Sequence, residues 1–328
     1  MRYSLLFPLA PARPEQAVPF ANLVRWTGAH RLWQGQTMTI EAHQLITWLA
    51  GIGIRVPAGF GVSLMPFRSP YQAALDARSV AISTGQPVLA GFGPGEPVVQ
   101  ESMLGSRYSS PLRASEEYVR IVRGLLSGQP TEVGGEHYST YARLGPCPSA
   151  PVSVGLGVLR EKMAVLAGEV ADAAITWLGS ASYLDRILLP AMRAAPDRAL
   201  PEPVRVTAFV PVALAGVDRD VTDLAAASCG AHLRAPHYQD ALRRSGIELS
   251  GDGSDFGKLV DAGVFLYGTA ADIHERLDEY RTIGVDEIVL NVSGVAKTLG
   301  FRAAIGDLEE ILAECPNTHL HPMPRSLR

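Results

Sequence analysis

Short apolar runs alternate with longer amphipathic segments along this chain, and the alternation limits the folds open to it. A continuous apolar run is typical of a strand buried on both faces, and an amphipathic segment is typical of a helix covering a sheet. Eight such units predict an α/β protein, a (β/α)8 TIM barrel of parallel strands. The predicted strands are 3–9, 31–34, 54–62, 87–92, 152–155, 171–176, 204–213 and 287–292, and the barrel helices are 14–28, 39–51, 70–84, 111–126, 159–168, 183–193, 272–283 and 301–315.

Two stretches lengthen the regular alternation and predict insertions after strands four and seven. The first combines a loop over 93–108 with a turn-rich connection over 128–150, and the second is helical over 218–260. No low-complexity linker divides the chain, and 328 residues that are 47% hydrophobic suffice for one large core. We therefore expect a single domain over residues 1–315 and a loose polar tail over 316–328.

Charge and cysteine content exclude several classes of protein. The net charge is -4 and no block of Lys or Arg occurs, which argues against nucleic acid or an anionic membrane as a partner. The three cysteines, Cys147, Cys229 and Cys315, lie far apart and have no metal-ligand spacing. No apolar stretch is long enough to span a membrane, and the first apolar run reads as a buried strand. These features favour a cytoplasmic protein without a structural metal.

In a barrel of this kind the functional groups gather where the strands end at their carboxyl side. Residues at or directly after the predicted strands are therefore the first candidates for a site. They are Gln34 and Gln36 at strand two, Gly61, Val62 and Ser63 at strand three, Gly93, Gly95 and Glu96 at strand four, Gly155, Leu156, Gly157 and Val158 at strand five, and Trp177 at strand six.

The segment PVSVGLGVLREKMAVLAG predicts a strand, a Gly-Leu-Gly turn and a helix. Backbone N–H groups at the turn over residues 155–157 would share the positive end of the helix dipole, so a phosphate group could bind there. The alternative is that Gly155 and Gly157 only allow a tight turn to close, because a Gly-x-Gly pattern alone is a weak signal.

An ordered set of motifs resembles the bacterial luciferase-like superfamily of flavin- and coenzyme F420-dependent oxidoreductases. The resemblance covers about residues 3–314, and the series is more specific than any single piece. The motifs are GVS at 61–63, FRSP at 67–70, STGQ at 83–86, GFGPGE at 91–96, PVSVG at 151–155, LAG at 166–168 with AD at 171–172, and GVDEIVL at 284–290.

The resemblance implies a cofactor at the carboxyl end of the barrel, coenzyme F420 or alternatively FMN, with its phosphate on the turn over 155–157. Members that use F420 carry a non-proline cis peptide in strand three, which here maps onto Gly61-Val62. Family members are commonly homodimers, and apolar helix surfaces near Trp48 and Tyr71 are the candidate interface.

The glycine-rich segment AGFGPGEP carries one carboxylate, Glu96. Glycines let backbone approach a flat ring closely, and the prolines restrict the loop. In similar sugar-phosphate dehydrogenases a glutamate in this setting transfers a proton, so Glu96 is the expected acid or base. The alternative is a carboxylate that caps a helix or bonds to its own loop.

Two departures from the family pattern bear on the reaction. F420 enzymes that oxidise alcohols often carry a histidine after strand two, where this chain has Gln34 and Gln36, amides that cannot titrate. The Lys/Arg cluster that a sugar phosphate requires is also missing. The strings RLWQGQ, HQLITWLAG and MPFRSPYQAALDARS are similar to those of actinomycete members from peptide natural-product pathways. This similarity implies F420H2-dependent reduction of dehydroalanine or dehydrobutyrine in a ribosomally made peptide.

Three histidines and one tyrosine are further candidates for functional or structural roles. His137 and Tyr138 are candidates for the substrate mouth, although an exposed loop pair is the alternative. His30 and His43 are expected to be structural.

Three other functions stay open. An FMN-dependent monooxygenase would use the same barrel and phosphate site, and a non-catalytic flavin-binding barrel is possible within the superfamily. A metal-dependent hydrolase is disfavoured, because no His/Asp/Glu group falls at successive strand ends.

Overall fold

Most of the predicted apolar runs form parallel strands around a closed barrel. The computed structural model describes residues 1–196, 198 and 200–314, so the predicted tail over 316–328 and Cys315 lie outside the described residues. The strands are β1 (Arg2–Leu6), β2 (Leu32–Gln34), β3 (Ala58–Leu64), β4 (Val88–Gly93), β5 (Thr131–Gly134), β6 (Ser139–Ala142), β7 (Val152–Val158), β8 (Ala173–Trp177), β9 (Arg205–Leu214), β10 (Leu266–Gly268) and β11 (Glu287–Asn291).

Eight of these strands make the barrel, in the order β1, β2, β3, β4, β7, β8, β9, β11. The ring closes because β11 pairs in parallel with β1, for example Ile288 with Tyr3. Every barrel pair is parallel, so all eight carboxyl ends meet at one face. The predicted (β/α)8 barrel is confirmed.

The helices lie mainly on the connections between barrel strands. They are α1 (Val18–Thr27), α2 (Ala42–Gly51), α3 (Pro70–Thr84), α4 (Pro97–Leu104), α5 (Pro111–Leu126), α6 (Glu161–Val170), α7 (Ala181–Tyr183), α8 (Leu189–Arg193), α9 (Val221–Leu233), α10 (Pro236–Arg244), α11 (Ser254–Asp261), α12 (Ala270–Ile283), α13 (Ser293–Leu299) and α14 (Phe301–Ala313). Within the described ranges, none of them combines the length and apolar character that crossing a bilayer requires.

The two predicted insertions contain more regular structure than expected. The predicted loop over 93–108 includes α4, and the connection over 128–150 includes the antiparallel hairpin of β5 and β6. After β9 the chain forms α9, α10 and α11, and then β10, which pairs in parallel with the end of β9. Helix α4, the β5–β6 hairpin and β10 were missed because their apolar periodicity is too brief to read from sequence, whereas α9, α10 and α11 confirm the helical insertion predicted over 218–260.

Large rings fill the inside of the barrel. Trp33 of β2 and Phe209 of β9 are buried there and meet edge to face, with ring centroids 5.1 Å apart. Two glycines of β3 make room for them: a Cβ at Gly59 would lie 2.3 Å from the Trp33 ring, and one at Gly61 would lie 2.4 Å from Phe209. The middle of the barrel is thus a packed core.

A buried polar cluster closes the amino-terminal end of the barrel. The Glu287 carboxylate at the start of β11 accepts hydrogen bonds from Ser4 Oγ at 2.6 Å and from Trp33 Nε1 at 2.8 Å. It also forms an ion pair with Arg31 at 3.1 Å. Paired polar groups fill this end of the barrel. The catalytic groups are therefore expected at the carboxyl face.

Candidate functional site

Strand β3 carries the irregular backbone that was expected at its carboxyl end. The Gly61-Val62 peptide bond is cis, and the pairing of β3 with β4 shifts register between Phe60 and Ser63. Both features confirm what the family resemblance implied for this position. Ser63 itself is buried.

Val62 forms the centre of an apolar floor with glycines of two other barrel strands. A Cβ at Gly93 would lie 2.9 Å from Val62 Cγ2, and one at Gly157 would lie 3.3 Å from Val62 Cγ1. A side chain at Gly93 would collide with the valine, and one at Gly157 would crowd it. We call Val62, Gly93 and Gly157 the Val62 floor.

The two glutamines after strand two have different surroundings. Gln34 is only 3% exposed, and its side-chain Oε1 is buried with no hydrogen-bond partner among the described residues. Gln36 is engaged, because its Oε1 accepts from the Leu64 N–H at 3.4 Å and its Nε2 donates to the Thr37 carbonyl at 3.1 Å. Gln34 Oε1 is thus unpaired, whereas Gln36 ties its loop to the end of β3.

The loop that carries Glu96 is held by a residue that sequence reasoning missed. Gln100 is buried in α4, and its Nε2 donates to the carbonyls of Pro94 at 3.1 Å and Gly95 at 2.9 Å. Its Oε1 accepts from the Tyr108 N–H at 3.1 Å. Gly95 has a φ of 71°, a conformation in the left-handed region that favours glycine.

Glu96 occupies the N-cap position of α4, but its side chain makes no capping hydrogen bond. The alternative of a helix-capping carboxylate is therefore not supported. Its charge instead acts on His237 and Tyr238 of α10, which places these three residues near one another. The carboxylate is partly exposed at the carboxyl face of the barrel.

The predicted Gly-Leu-Gly turn is wrong. Gly155, Leu156 and Gly157 lie inside β7, which continues to Val158, and Leu156 pairs with Phe92 on one side and Ala174 on the other. The glycines serve close strand packing, since a Cβ at Gly155 would lie 2.8 Å from Ile175. Helix α6 begins at Glu161 with Arg160 at its N-cap, so its N-terminal N–H groups lie beyond the predicted turn over 155–157.

Trp177 ends β8 as expected, and its indole nitrogen is unusual. Trp177 Nε1 is buried without a hydrogen-bond partner in the part of the chain that the structure describes. The next residue, Leu178, has a φ of 56°, in the left-handed region that non-glycine residues rarely adopt. The indole meets the His232 ring edge to face, with centroids 5.2 Å apart.

The insertion after β9 brings further aromatic residues to this place. The His232 and Tyr238 rings lie 5.0 Å apart, and His237 and Tyr238 lie 4.2 Å apart. Burial raises the pKa of Tyr238 to about 12, and the Glu96 carboxylate adds to the rise. An ion pair of 3.0 Å between Asp240 and Arg160 fastens α10 to the start of α6.

These residues were missed in the sequence, although the string AHLRAPHY at 231–238 contains all three rings. Two histidines and a tyrosine close together in a helical insertion are the only signal. Which barrel strand they approach depends on the tertiary fold.

His137 and Tyr138 lie at the tip of the β5–β6 hairpin and are not an exposed loop pair. The backbone N–H groups of Glu136, His137 and Tyr138 each donate to the Glu117 carboxylate at 2.9 Å. The His137 side chain is 11% exposed, and the Tyr138 hydroxyl hydrogen-bonds to the Tyr108 hydroxyl. A role of this pair at the substrate mouth stays a prediction.

The two histidines expected to be structural both have packing or polar partners. His43 of α2 stacks on Phe60 with ring centroids 4.0 Å apart, and its Nδ1 lies 2.7 Å from the Glu41 carboxylate. His30 lies at the amino-terminal end of the barrel, 2.7 Å from a guanidinium nitrogen of Arg31.

The comparisons with known proteins agree with this geometry. The family model for luciferase-like monooxygenases matches residues 4–287. A 5,10-methylenetetrahydromethanopterin reductase of Methanolobus tindarius is 26% identical over 302 residues, which cover 82% of this chain and 88% of the relative.

Solved structures show the same fold. An F420-dependent secondary alcohol dehydrogenase in complex with an F420-acetone adduct has a TM-score of 0.71 at 18% identity, covering 94% of this chain and 98% of that one. An EDTA monooxygenase from a Chelativorans species has a TM-score of 0.68 at 14% identity, covering 95% and 92%. The chain therefore belongs to the luciferase-like monooxygenase family and is an oxidoreductase of its F420- or flavin-dependent kind.

Proposed function

We propose that the protein is a coenzyme F420H2-dependent reductase that delivers a hydride to an activated C=C bond. The proposed substrate is dehydroalanine or dehydrobutyrine in a ribosomally made peptide. The observation that carries this proposal is Gln34, a buried amide with an unpaired Oε1 at the end of β2. A side chain that cannot titrate suits reduction of a polarised double bond better than deprotonation of an alcohol.

The residues at the carboxyl face fit a deazaflavin or flavin. The Val62 floor offers an apolar surface formed around two glycines, and Gln34 Oε1 offers an acceptor to a ring N–H. Gly61, Ser63 and Gly95 border this surface by their positions in β3 and in the loop after β4. When bound, the reduced cofactor supplies a hydride.

The N-terminus of α6 supports a phosphate site beyond the end of β7. Arg160 stands at the N-cap and makes no side-chain capping bond, so the first N–H groups of the helix face outward. The positive end of the helix dipole favours an anion there. Val158 leads into this site, which replaces the predicted one at Gly155, Leu156 and Gly157.

The proposed proton transfer uses Glu96. Hydride addition at the β-carbon of a dehydroamino acid leaves negative charge on the amide oxygen, and that charge needs a hydrogen-bond donor. Gln34 Nε2 is proposed for this role, since the Nε2 of Gln36 already donates to Thr37. Glu96 would then give a proton to the α-carbon, and the face from which it comes would set the configuration of the product.

A titration of the purified protein with F420 and with FMN tests the cofactor, followed by assay of the loaded enzyme on N-acetyldehydroalanine methylamide. We expect F420 binding and F420H2 oxidation that depends on the dehydro compound, with the alanine derivative as product. Tight FMN binding without F420 binding, together with oxygen uptake, would instead assign the protein to the FMN-dependent monooxygenases. Binding without turnover of any acceptor would favour a non-catalytic flavin-binding barrel.

A further inference from the structure

Two neighbouring rings at the carboxyl face each have a nitrogen atom that the protein leaves unpaired. Trp177 Nε1 and His232 Nδ1 are both buried, and neither has a hydrogen-bond partner among the described residues. The centroids of the two rings lie 5.2 Å apart, and the rings meet edge to face. Because a buried polar atom left unpaired costs about 1–3 kcal/mol, two such atoms on adjacent rings favour a ligand that pairs them.

The backbone after Trp177 provides an independent observation. Leu178 is the only non-glycine residue of the described chain with a positive φ, and its side chain is buried. Left-handed non-glycine residues are uncommon and are concentrated at ligand sites. This conformation turns the chain at the end of β8, where it sets the position of the indole.

The chemistry of the two atoms defines the group that they can bind. An indole N–H only donates, whereas a neutral imidazole has one donor and one acceptor nitrogen. Burial lowers the pKa of His232 to about 4, and the charges of Lys297 and His237 add to this, so the ring is neutral at pH 7. In the tautomer that carries its proton on Nε2, Nδ1 accepts, and the complement is then a group with an acceptor beside a donor.

Charged groups match this pair less well. A carboxylate has only acceptors and cannot pair with an imidazole nitrogen that accepts. An ammonium has only donors, and the Lys297 charge that acts on His232 would repel it. A neutral C(=O)–N–H group has both an acceptor and a donor.

We propose that Trp177 and His232 form a recognition site for a neutral C(=O)–N–H group. The Trp177 Nε1–H donates to the carbonyl oxygen, and His232 Nδ1 accepts from the N–H. The inference rests on the proposed function, in which the peptide bonds of the substrate supply this group; the pyrimidinedione ring of F420 or FMN is the other source. His232 then determines specificity, and the Asp240–Arg160 ion pair holds the neighbouring helix of the insertion in place.

The test follows the indole N–H resonances of protein labelled with 15N at tryptophan. N-acetylalanine methylamide is titrated in parallel with methyl O-acetyllactate, which has the same shape and oxygen in place of both N–H groups. We expect the amide to shift the Trp177 resonance and to bind about ten times more tightly than the diester, the value of one hydrogen bond. Trp177→Phe assigns the resonance, and Trp48 on α2 serves as the unshifted control.

Variants of His232 separate recognition from structure. His232→Phe should bind amide and diester equally, whereas His232→Asn, which keeps an acceptor near the Nδ1 position, should restore the preference for the amide. The melting temperature of each variant shows whether it is folded. An equal preference in the wild type and in folded His232→Phe would overturn the role of His232.

Two further comparisons show whether the substrate or the cofactor supplies the C(=O)–N–H group. They also distinguish failure of this site from failure of the proposed reaction. A Trp177 shift with F420 alone, and none with the amide, assigns the recognised group to the cofactor ring. No shift with either compound contradicts the site, even if the enzyme reduces N-acetyldehydroalanine methylamide. A shift with the amide in an enzyme that fails to reduce this compound supports the site and contradicts the proposed reaction.

Discussion

The surroundings of Glu96 distinguish between two roles for its carboxylate. A capping glutamate would accept from the first N–H groups of α4, and Glu96 does not. Its charge acts on the rings of α10 across the carboxyl face of the barrel. The carboxylate therefore does not cap the helix, and its charge is felt by the rings of α10.

Replacing Glu96 with glutamine should lower kcat about 100-fold or more, since general acid–base groups contribute about 10² or more to rate. Cofactor affinity should stay within about threefold, because the amide keeps the size of the side chain. Steady-state oxidation of F420H2 with N-acetyldehydroalanine methylamide measures the effect. Glu101→Gln is the matched control, because Glu101 lies on the same helix in an exposed ion pair with Arg107. An unchanged kcat in Glu96→Gln would exclude the proton role.

Gly93→Ala should disturb the Val62 floor, because the new Cβ would lie 2.9 Å from Val62 Cγ2. Gly93 is not among the glycines with positive φ, so its backbone tolerates alanine. Crowding of this kind costs about 1–3 kcal/mol, and we expect weaker cofactor binding measured by titration. Adding Val62→Ala should restore part of the affinity. A double variant as weak as Gly93→Ala would show that Val62 is not the residue displaced.

Single residues also show where the sequence was informative. Glu96 and Trp177 were nominated because they follow apolar runs, and the structure places both at strand ends. His232 could not be nominated by this rule, since it lies in a helix of the insertion. Its proximity to Trp177 arises from the path of α9 and α10 and has no counterpart in local sequence.

At the level of elements, the β5–β6 hairpin depends on one carboxylate of α5. Glu117 accepts from three consecutive backbone N–H groups at the hairpin tip and pairs with Arg113 at 3.0 Å. Burial opposes its charge, but these donors outweigh burial and lower the pKa to about 2. The hairpin is thereby fixed to the barrel helix beside Tyr108 and Tyr138.

Glu117→Gln should reduce the free energy of unfolding by about 1–3 kcal/mol at pH 7, because the charge that binds the N–H groups is lost. Since the folded pKa is about 2 and the ordinary value is 4.5, the stabilisation is complete above pH 4.5 and disappears as the pH falls towards 2. Urea titrations of both proteins at pH 7 and at lower pH should show the difference shrinking. Glu116→Gln, in an exposed pair with Arg120, should change stability by less than about 0.5 kcal/mol. A pH-independent difference would contradict the assignment.

The elements differ in how well local sequence predicted them. Helices α3 and α5 have their predicted bounds, since each begins with a serine whose side chain caps the helix and a proline in the first turn. The prediction ended strand β7 at residue 155, because the pattern of Gly155 and Gly157 indicated a turn. In the structure these glycines avoid collisions with Ile175 and Val62, and such collisions exist only once the barrel has closed.

At the scale of the whole molecule, α3 carries a candidate surface for a homodimer. Tyr71 and Ile82 are 39% and 44% exposed, and their spacing of eleven residues puts them on one side of the helix. We predict a dimer by light scattering, and Tyr71→Glu with Ile82→Glu should convert it to a monomer. Val217→Glu, at a fully exposed position elsewhere, should leave the mass unchanged. A wild-type monomer, or a dimer that survives both substitutions, would exclude this surface.

The sequence by itself predicted the class of fold and the strand ends at which candidate residues lie. Continuous apolar runs predict buried strands, and amphipathic segments between them predict parallel pairing, so Gln34, Glu96 and Trp177 were expected at one end of the barrel. Only the tertiary structure decided that Gln34 Oε1 is unpaired while Gln36 is hydrogen-bonded, that residues 155–157 lie within β7 with α6 beginning only at Glu161, and that His232 meets Trp177. These facts depend on contacts between segments distant in the chain, and local pattern carries no record of such contacts.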